Sequence, residues 1–279
     1  MKLVTTIIGF FVLAQLLGIF TGLTIISDIN MNPYVKELMI SAEPEETTNA
    51  FVLIGYILVG ALFMMILIRL FSKHPIIFIL IEFALISSSS SIVFYAFLRL
   101  LLGYEISTIV AVIMGLLFSS IKMLKPQLKN AAAILATAGV GVIFGVSFGM
   151  VPVVLFLIML SVYDYLSVFT TKHMVELANF VVKKNLAFTV TARKAPLKKG
   201  EPEKRMDLGT GDMIAPIMLE VSALAWSPVA SLFIMVGAVV SLLIFLDMVW
   251  KKKMVLPALP PIVLGMMIAL VIGFILGLY

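Results

Sequence analysis

Five carboxylic acids lie within, or at the ends of, long apolar stretches of this 279-residue chain: Glu82, Asp164, Asp212, Glu220 and Asp247. An ionisable side chain in an apolar helix is unfavourable unless it meets water or a partner, so each acid is a functional candidate. The chain has no cysteine, which excludes a thiolate metal site and a cysteine nucleophile. Paired carboxyl groups can perform chemistry without a thiol. We expect no cofactor and no metal.

The elements that must position these acids are apolar blocks of about 20 residues, the length that a helix needs to cross a bilayer. Hydrophobic residues make up 62% of the chain and charged residues 13%, whereas roughly a quarter of the residues of soluble proteins are charged. The composition predicts an all-α polytopic protein of the cell membrane with nine transmembrane helices. The predicted spans are 3–26, 50–68, 75–98, 104–121, 131–148, 151–170, 208–225, 228–249 and 255–278.

The distribution of basic residues predicts the orientation of these spans. With the N-terminus inside, 18 of the 20 Lys and Arg residues fall in inner segments, and only Lys36 and Arg99 fall in outer ones. Because inner loops of membrane proteins are enriched in Lys and Arg, this split favours the N-terminus inside and the C-terminus outside.

We predict one membrane domain, 1–279, whose widest connection divides six helices from three. The six-helix part covers 1–170, the connection 171–207 and the three-helix part 208–279. Within the connection, 171–184 has a weak helical pattern and 186–192 is typical of a strand, because Thr189 and Thr191 alternate with apolar residues. The alternative is that the whole connection is a solvated basic loop.

Asp164 and Asp212 share one predicted depth. Asp164 precedes the inner end of the sixth span, and Asp212 follows the inner start of the seventh, so each lies roughly 6 to 9 Å inside the inner boundary. Helices that follow each other in the chain are usually neighbours, so the two carboxyl groups can meet face to face. The alternative is that each acid pairs separately with a lysine of the basic connection.

The other three acids have simpler interpretations. Asp247 is followed one turn later by Lys251, which predicts an ion pair on the helix surface. Glu82 can extend toward the interface or bind nearby serines, and Glu220 can line an outer cavity. Glycines 141, 145 and 149 have the spacing that lets two helix backbones approach closely.

The sequences around the two shared-depth acids are distinctive. Asp164 follows Tyr163, and Asp212 ends the run Gly209-Thr210-Gly211-Asp212, where two missing side chains leave backbone accessible beside the acid. The ninth span opens with prolines 257, 260 and 261, which keep its inner end irregular. Irregular backbone is tolerated in a membrane only against protein or a water-filled cavity.

This pattern resembles the presenilin and signal peptide peptidase family of GxGD intramembrane aspartyl proteases. The resemblance rests on YD in the sixth span, GxGD in the seventh and Pro-Ala-Leu in the ninth, and it extends over the whole topology. The chain has no long N-terminal tail and is in this respect most similar to microbial, archaeal-type presenilin homologues. The family usually has leucine or an aromatic residue where Thr210 stands here, which bears on cleavage preference.

The resemblance implies an activity and a set of residues. Asp164 and Asp212 would be the catalytic pair of an aspartic endopeptidase that cleaves transmembrane substrates. The residues expected to shape the site or bind substrate are Tyr163, Gly209, Thr210, Gly211, Pro257, Ala258 and Leu259. The expected partners are the lipid bilayer and single-span membrane proteins or peptides, with no nucleic acid and no obligate partner subunit, while a homo-oligomer stays open.

Two other functions compete with this interpretation. Intramembrane acids and broken helices also serve proton- or cation-coupled transporters and ion pathways. Prepilin peptidases also use a GxGD aspartate, but they do not explain the Pro-Ala-Leu motif of a ninth span. If the chain is a protease, the peptide bond of a helical substrate must be unwound, and 186–192 or the stretch before Gly209 is expected to pair with it as a strand.

Overall fold

The computed structural model describes residues 2–31, 33–36, 39–71, 75–171, 186–194, 204–252 and 257–279. These residues are mostly helical, with one two-stranded sheet. The elements are α1 (Lys2–Met31), a single turn α2 (Pro33–Lys36), α3 (Thr48–Phe71), α4 (Pro75–Arg99), α5 (Tyr104–Leu124), α6 (Lys129–Ser147), α7 (Met150–Leu166), β1 (Thr189–Lys194), β2 (Lys204–Gly209), α8 (Thr210–Leu224), α9 (Pro228–Lys252) and α10 (Leu259–Ile275).

Nine of the described helices coincide with the predicted spans. Seven of them, α1, α3 to α7 and α9, are long and apolar enough to cross a bilayer. The other two are shorter, with 15 residues in α8 and 17 in α10. The predicted start of the seventh span at 208 is wrong, because residues 208 and 209 complete a strand, and α8 begins at Thr210.

Helix α8 lies at the centre of the bundle. Met213 and all residues from Ala215 to Leu224 are buried, and α8 packs against α1, α6, α7, α9 and α10. Glycines allow this density: a Cβ on Gly145 of α6 would lie 2.8 Å from the carbonyl oxygen of Met218. The close approach predicted from the glycine spacing is therefore confirmed at 141 and 145, whereas Gly149 precedes α7 and contacts Glu45 instead.

A cluster of three polar side chains connects α1 to α4 at the ends of these helices. The Tyr95 hydroxyl donates to Asp28 Oδ2 at 2.5 Å, and Arg99 Nε donates to the same oxygen at 3.0 Å. Asp28 is only 3% exposed, so its charge is compensated within the protein. This group fixes the relative position of α1 and α4 far along the chain from the GxGD motif.

The connection between α7 and α8 contains an antiparallel hairpin. Thr189 pairs with Gly209 and Lys194 with Lys204, so the strand predicted at 186–192 is confirmed, with bounds Thr189–Lys194. The hairpin packs against α1 and α6, and Val190 is fully buried, so the alternative of a wholly solvated loop is wrong for the hairpin. The helical pattern predicted from 171 lies outside the described residues between 172 and 184.

Helix α3 is the most peripheral of the long helices. Only Ala50 and Leu53 are buried along its length. Its C-terminal half, with Leu67 and Phe71, packs against a small apolar cluster formed by Phe78 of α4 and Leu186. The chain segment that leads into β1 is thus held in part by apolar contact with α3.

Candidate active site

The two shared-depth acids lie on helices that pack against each other. Asp164 is near the C-terminal end of α7, and Asp212 is in the first turn of α8. Helix α10, which begins at Leu259, packs against both α7 and α8. The YD, GxGD and Pro-Ala-Leu segments are therefore brought to one region of the bundle, although they are far apart in the sequence.

The Asp164 carboxyl group is buried against the start of α10. Its residue is 8% exposed, and the backbone N–H of Leu259 is directed at the carboxyl group. This N–H is available because Leu259 is the first residue of its helix, where backbone donors have no partner one turn back. The second oxygen, Oδ2, is buried and has no hydrogen-bond partner among the described residues. Asp164 thus keeps one oxygen for a reacting group.

The Asp212 carboxyl group is held by the glycine that precedes α8. The backbone N–H of Gly209 is directed at it, and a Cβ on Gly209 would lie 3.2 Å from Asp212 Oδ2. Gly211 differs, because a Cβ there would meet nothing within 4 Å, and the residue is exposed. The first glycine lets Asp212 fold back against its own backbone, and the second leaves open space beside the acid.

Thr210 joins the start of α8 to the hairpin. Its backbone N–H and its Oγ1 both donate to the carbonyl oxygen of Phe188, each at 3.1 Å. Thr210 departs from the family pattern between the two glycines and is among the residues expected to shape the site or bind substrate. The structure assigns its hydroxyl a local contact, which no sequence signal at Phe188 could have revealed.

The two carboxyl groups interact with each other. The charge of Asp164 acts electrostatically on Asp212, so the groups lie within range of a Coulomb interaction. Tyr163 is half-buried beside them, and Pro257 and Ala258 are buried and precede α10. Two carboxyl groups in this relation can share one proton, and such a pair can activate water at one oxygen while it protonates a substrate at another.

The remaining acids have other surroundings. Asp247 accepts from Lys251 Nζ at 2.6 Å, which confirms the predicted ion pair. Glu82 was expected to extend toward the interface or to bind nearby serines, and both expectations are wrong. It forms a buried ion pair with Lys122 of α5. Glu220 is fully buried, and its carboxyl oxygens have no hydrogen-bond partner among the described residues, so it does not face an open outer cavity.

An apolar groove of about 730 Å³ lies between α9, α10 and the end of α7. Two residues of its lining belong to or adjoin the motifs: Pro257 begins Pro-Ala-Leu, and Tyr165 follows the YD pair. Its lining contains no carboxyl group and almost no polar surface. The groove is therefore apolar throughout, and neither Asp164 nor Asp212 lines it.

Comparison with known proteins decides the family. The family model described as signal-peptide peptidase, presenilin aspartyl protease matches residues 8–278. The chain belongs to this family. A comparison with curated proteins gave no sequence match.

Two solved structures of a presenilin family intramembrane aspartate protease are similar to this presenilin-family chain. The structure in space group C222 is 25% identical, with a TM-score of 0.70, and the alignment covers 98% of this chain and 99% of that one. The structure in space group P2 is 27% identical, with a TM-score of 0.66 and coverages of 94% and 96%. The presenilin-family chain is therefore a multi-pass membrane protein and an intramembrane aspartyl protease. Nothing in these similarities supports a transporter.

Proposed function

We propose that Asp164 and Asp212 are the catalytic pair and that they hydrolyse peptide bonds of single-span transmembrane substrates. The observation that carries the proposal is that two packed helices bring these acids within range of a Coulomb interaction, in a chain of the aspartyl protease family. Each acid also faces one backbone N–H, from Leu259 and from Gly209. These donors orient the carboxyl groups without neutralising either of them.

The reaction follows from the chemistry of the pair. Two like charges at close range cannot both ionise without a large electrostatic penalty, so the two acids share one proton and titrate together. The ionised carboxylate takes a proton from water, and the resulting hydroxide adds to the peptide carbonyl carbon. The protonated carboxyl group donates to the carbonyl oxygen, and protonation of the amide nitrogen then breaks the C–N bond. No covalent intermediate forms.

The flanking residues shape the space around this chemistry. Gly211 leaves room for a substrate backbone, because no atom lies within 4 Å of the place where its Cβ would be. Pro257 and Ala258 lead into α10, whose first residue, Leu259, directs its N–H at Asp164. Tyr163 closes the pair from the α7 side.

We also propose that the unwound substrate adds as a strand to β2 rather than to β1. The carbonyl oxygen of Phe188 accepts a hydrogen bond from the N–H of Thr210, so the main-chain groups of Phe188 point toward β2. Main-chain groups alternate in direction along a strand, and those of Thr191 therefore point away from β2. That edge of β1 is occupied at Thr191, which binds the side chain of Asn130. Asp207 pairs with Thr191, so its main-chain groups point to the outer edge of β2. Strand β2 ends at Gly209, three residues before Asp212.

The membrane arrangement that we propose has nine spans, with the N-terminus inside and the C-terminus outside, in the cell membrane. The 18 to 2 split of basic residues supports it. The chain then forms one domain, with a six-helix part (1–170), an inner connection (171–207) that carries the hairpin, and a three-helix part (208–279).

The decisive experiment is cleavage of a single-span peptide by purified protein in detergent, followed by mass spectrometry. We expect Asp164→Asn and Asp212→Asn each to lower turnover by about 10³-fold or more, because each removes one half of the acid–base pair. Asp247→Asn is the matched control, since its carboxylate is exposed and pairs with Lys251, and it should keep wild-type turnover. Wild-type turnover in either active-site variant would refute the assignment.

A further inference from the structure

Side chains from two membrane helices bind β1 and the chain just before it, and a third helix supplies a charge that pairs with one of these side chains. We call these four residues the polar clamp: Glu82 of α4, Lys122 of α5, and Lys129 and Asn130 of α6. Three of them, Glu82, Lys122 and Lys129, are charged and at most 7% exposed. Buried charges are rare unless they are paired or perform a task, so the cluster calls for a physical explanation.

One half of the polar clamp holds the chain just before β1. Glu82 Oε1 accepts a hydrogen bond from the backbone N–H of Ala187 at 2.5 Å. The same oxygen accepts from Lys122 Nζ, which neutralises the carboxylate in its buried position. Glu82 and Ala187 are 105 residues apart in the sequence, so this contact ties the connection to the membrane helices.

The other half of the polar clamp holds the strand itself. The Asn130 amide binds both main-chain groups of Thr191: its Oδ1 accepts from the N–H at 2.9 Å, and its Nδ2 donates to the carbonyl oxygen at 2.8 Å. This two-point contact imitates a neighbouring strand and leaves Thr191 one register only. Lys129 Nζ donates to the hydroxyls of Thr189 and Thr191 at 3.1 and 3.3 Å, on one face of the hairpin.

The hairpin in turn determines where Asp212 lies. Thr210 binds Phe188 through two hydrogen bonds, and Asp212 follows two residues later in the first turn of α8. Phe188 stands between Ala187 and Thr191, the two residues whose main chain the polar clamp binds. A shift of β1 along its axis would therefore move the start of α8 and the edge of β2 together.

We propose that the polar clamp is a positioning device that sets which peptide bond of the substrate reaches the two acids. This inference rests on the proposed function. If the substrate pairs with β2, the register of β2 relative to Asp212 and Asp164 selects the bond that is cut. Because β2 is paired with β1 in a fixed register, the bonds from Glu82 of α4 to Ala187 and from Asn130 of α6 to Thr191 anchor that selection to the membrane helices. Glu82, Lys129 and Asn130 bind the chain at the hairpin, and Lys122 pairs with Glu82, so the four act as positioning residues.

The test measures where the substrate is cut as well as how fast. Asn130→Ala removes both bonds to Thr191, and we expect kcat to fall about tenfold, the factor that two lost hydrogen bonds represent. We expect KM to stay within twofold, and mass spectrometry to detect products cut one or two residues from the wild-type position. Asn130→Asp keeps the acceptor for the Thr191 N–H and should restore part of the wild-type product pattern.

A second pair of variants isolates the contact with Ala187. Replacing Glu82 and Lys122 together by Met removes the buried ion pair without leaving an isolated charge, so the fold is preserved. Glu82→Gln with Lys122→Met has the same loss of charge but keeps an oxygen that accepts from Ala187. We expect new cleavage positions with the Met/Met pair and the wild-type positions with the Gln/Met pair.

Asp28→Asn is the matched control for instability. Asp28 is buried as deeply as Glu82 and paired with Arg99, but it contacts no residue of the hairpin. It should lower the thermal midpoint and leave the cleavage position unchanged. Wild-type positions in Asn130→Ala and in the Met/Met pair would overturn the proposal. Absence of cleavage by the wild-type protein would instead refute the proposed function.

Discussion

Gly145→Ala is expected to impair catalysis from a position outside the active site. A Cβ at residue 145 would lie 2.6 Å from Val221 Cβ and 2.8 Å from the Met218 carbonyl oxygen, whereas ordinary contacts begin at 3.4 Å. The shortfall is therefore 0.8 Å and 0.6 Å, and both contacts are with atoms that no side-chain rotation can move. Helix α8 must shift as a unit, and it carries Asp212.

The size of the effect follows from that displacement. A misplacement of about 1 Å can lower a rate by about 10²-fold, so we expect kcat to fall roughly 10- to 100-fold. Overpacking of this kind also lowers the free energy of unfolding by about 1–3 kcal/mol. Turnover of a single-span peptide gives kcat, and thermal denaturation in the same detergent gives the stability.

The control for Gly145→Ala is Gly60→Ala on α3. A Cβ at residue 60 would meet nothing within 4 Å, so the same substitution should leave kcat unchanged. If Gly145→Ala had wild-type kcat and an unshifted thermal midpoint, the contact between α6 and α8 would not determine the position of Asp212, and the reasoning would fail.

Two further predictions follow from other contacts. A Cβ at Gly22 of α1 would lie 2.9 and 3.0 Å from the two γ-carbons of Val221, so Gly22→Ala should lower the free energy of unfolding by about 1–3 kcal/mol. Adding Val221→Ala should restore most of that loss in the double variant. Additive losses in thermal denaturation would contradict this. Asp207→Pro removes a main-chain donor from the outer edge of β2, whereas Asp207→Ala removes only the carboxylate, which binds Thr191 and Arg205. We expect kcat/KM to fall about tenfold further in the proline variant than in the alanine variant, and equal values would exclude substrate pairing at that edge.

The sequence predicts those features that depend on local composition. Hydropathy places α5 at 104–121, and the structure has Tyr104–Leu124. The prolines around 260 predict an irregular start of the ninth span, and α10 begins only at Leu259. The motifs around Asp164 and Asp212 predict them as the pair, because the family resemblance adds what their spacing alone leaves open.

The features that the sequence does not predict depend on partners far away in the chain. The stretch before Gly209 is offered by the sequence only as a candidate strand, and its pairing with β1 and its bounds, Lys204–Gly209, come from the structure. Glu82 and Lys122 are 40 residues apart, so nothing local identifies them as a pair. Asn130 follows Lys129 at the start of α6, and only its contact with Thr191 distinguishes it from a solvated residue.

The enclosure of α8 by five helices restricts how the enzyme can move. Ile217 fills the space above Gly18 and Gly141, and Val221 the space above Gly22 and Gly145, so α1 and α6 fix α8 on two sides at backbone distance. We therefore expect Asp212 to move less than Asp164. Motion that admits a substrate, or adjusts the separation of the two acids during turnover, is then expected in α7 with Asp164 or in α10 with Leu259.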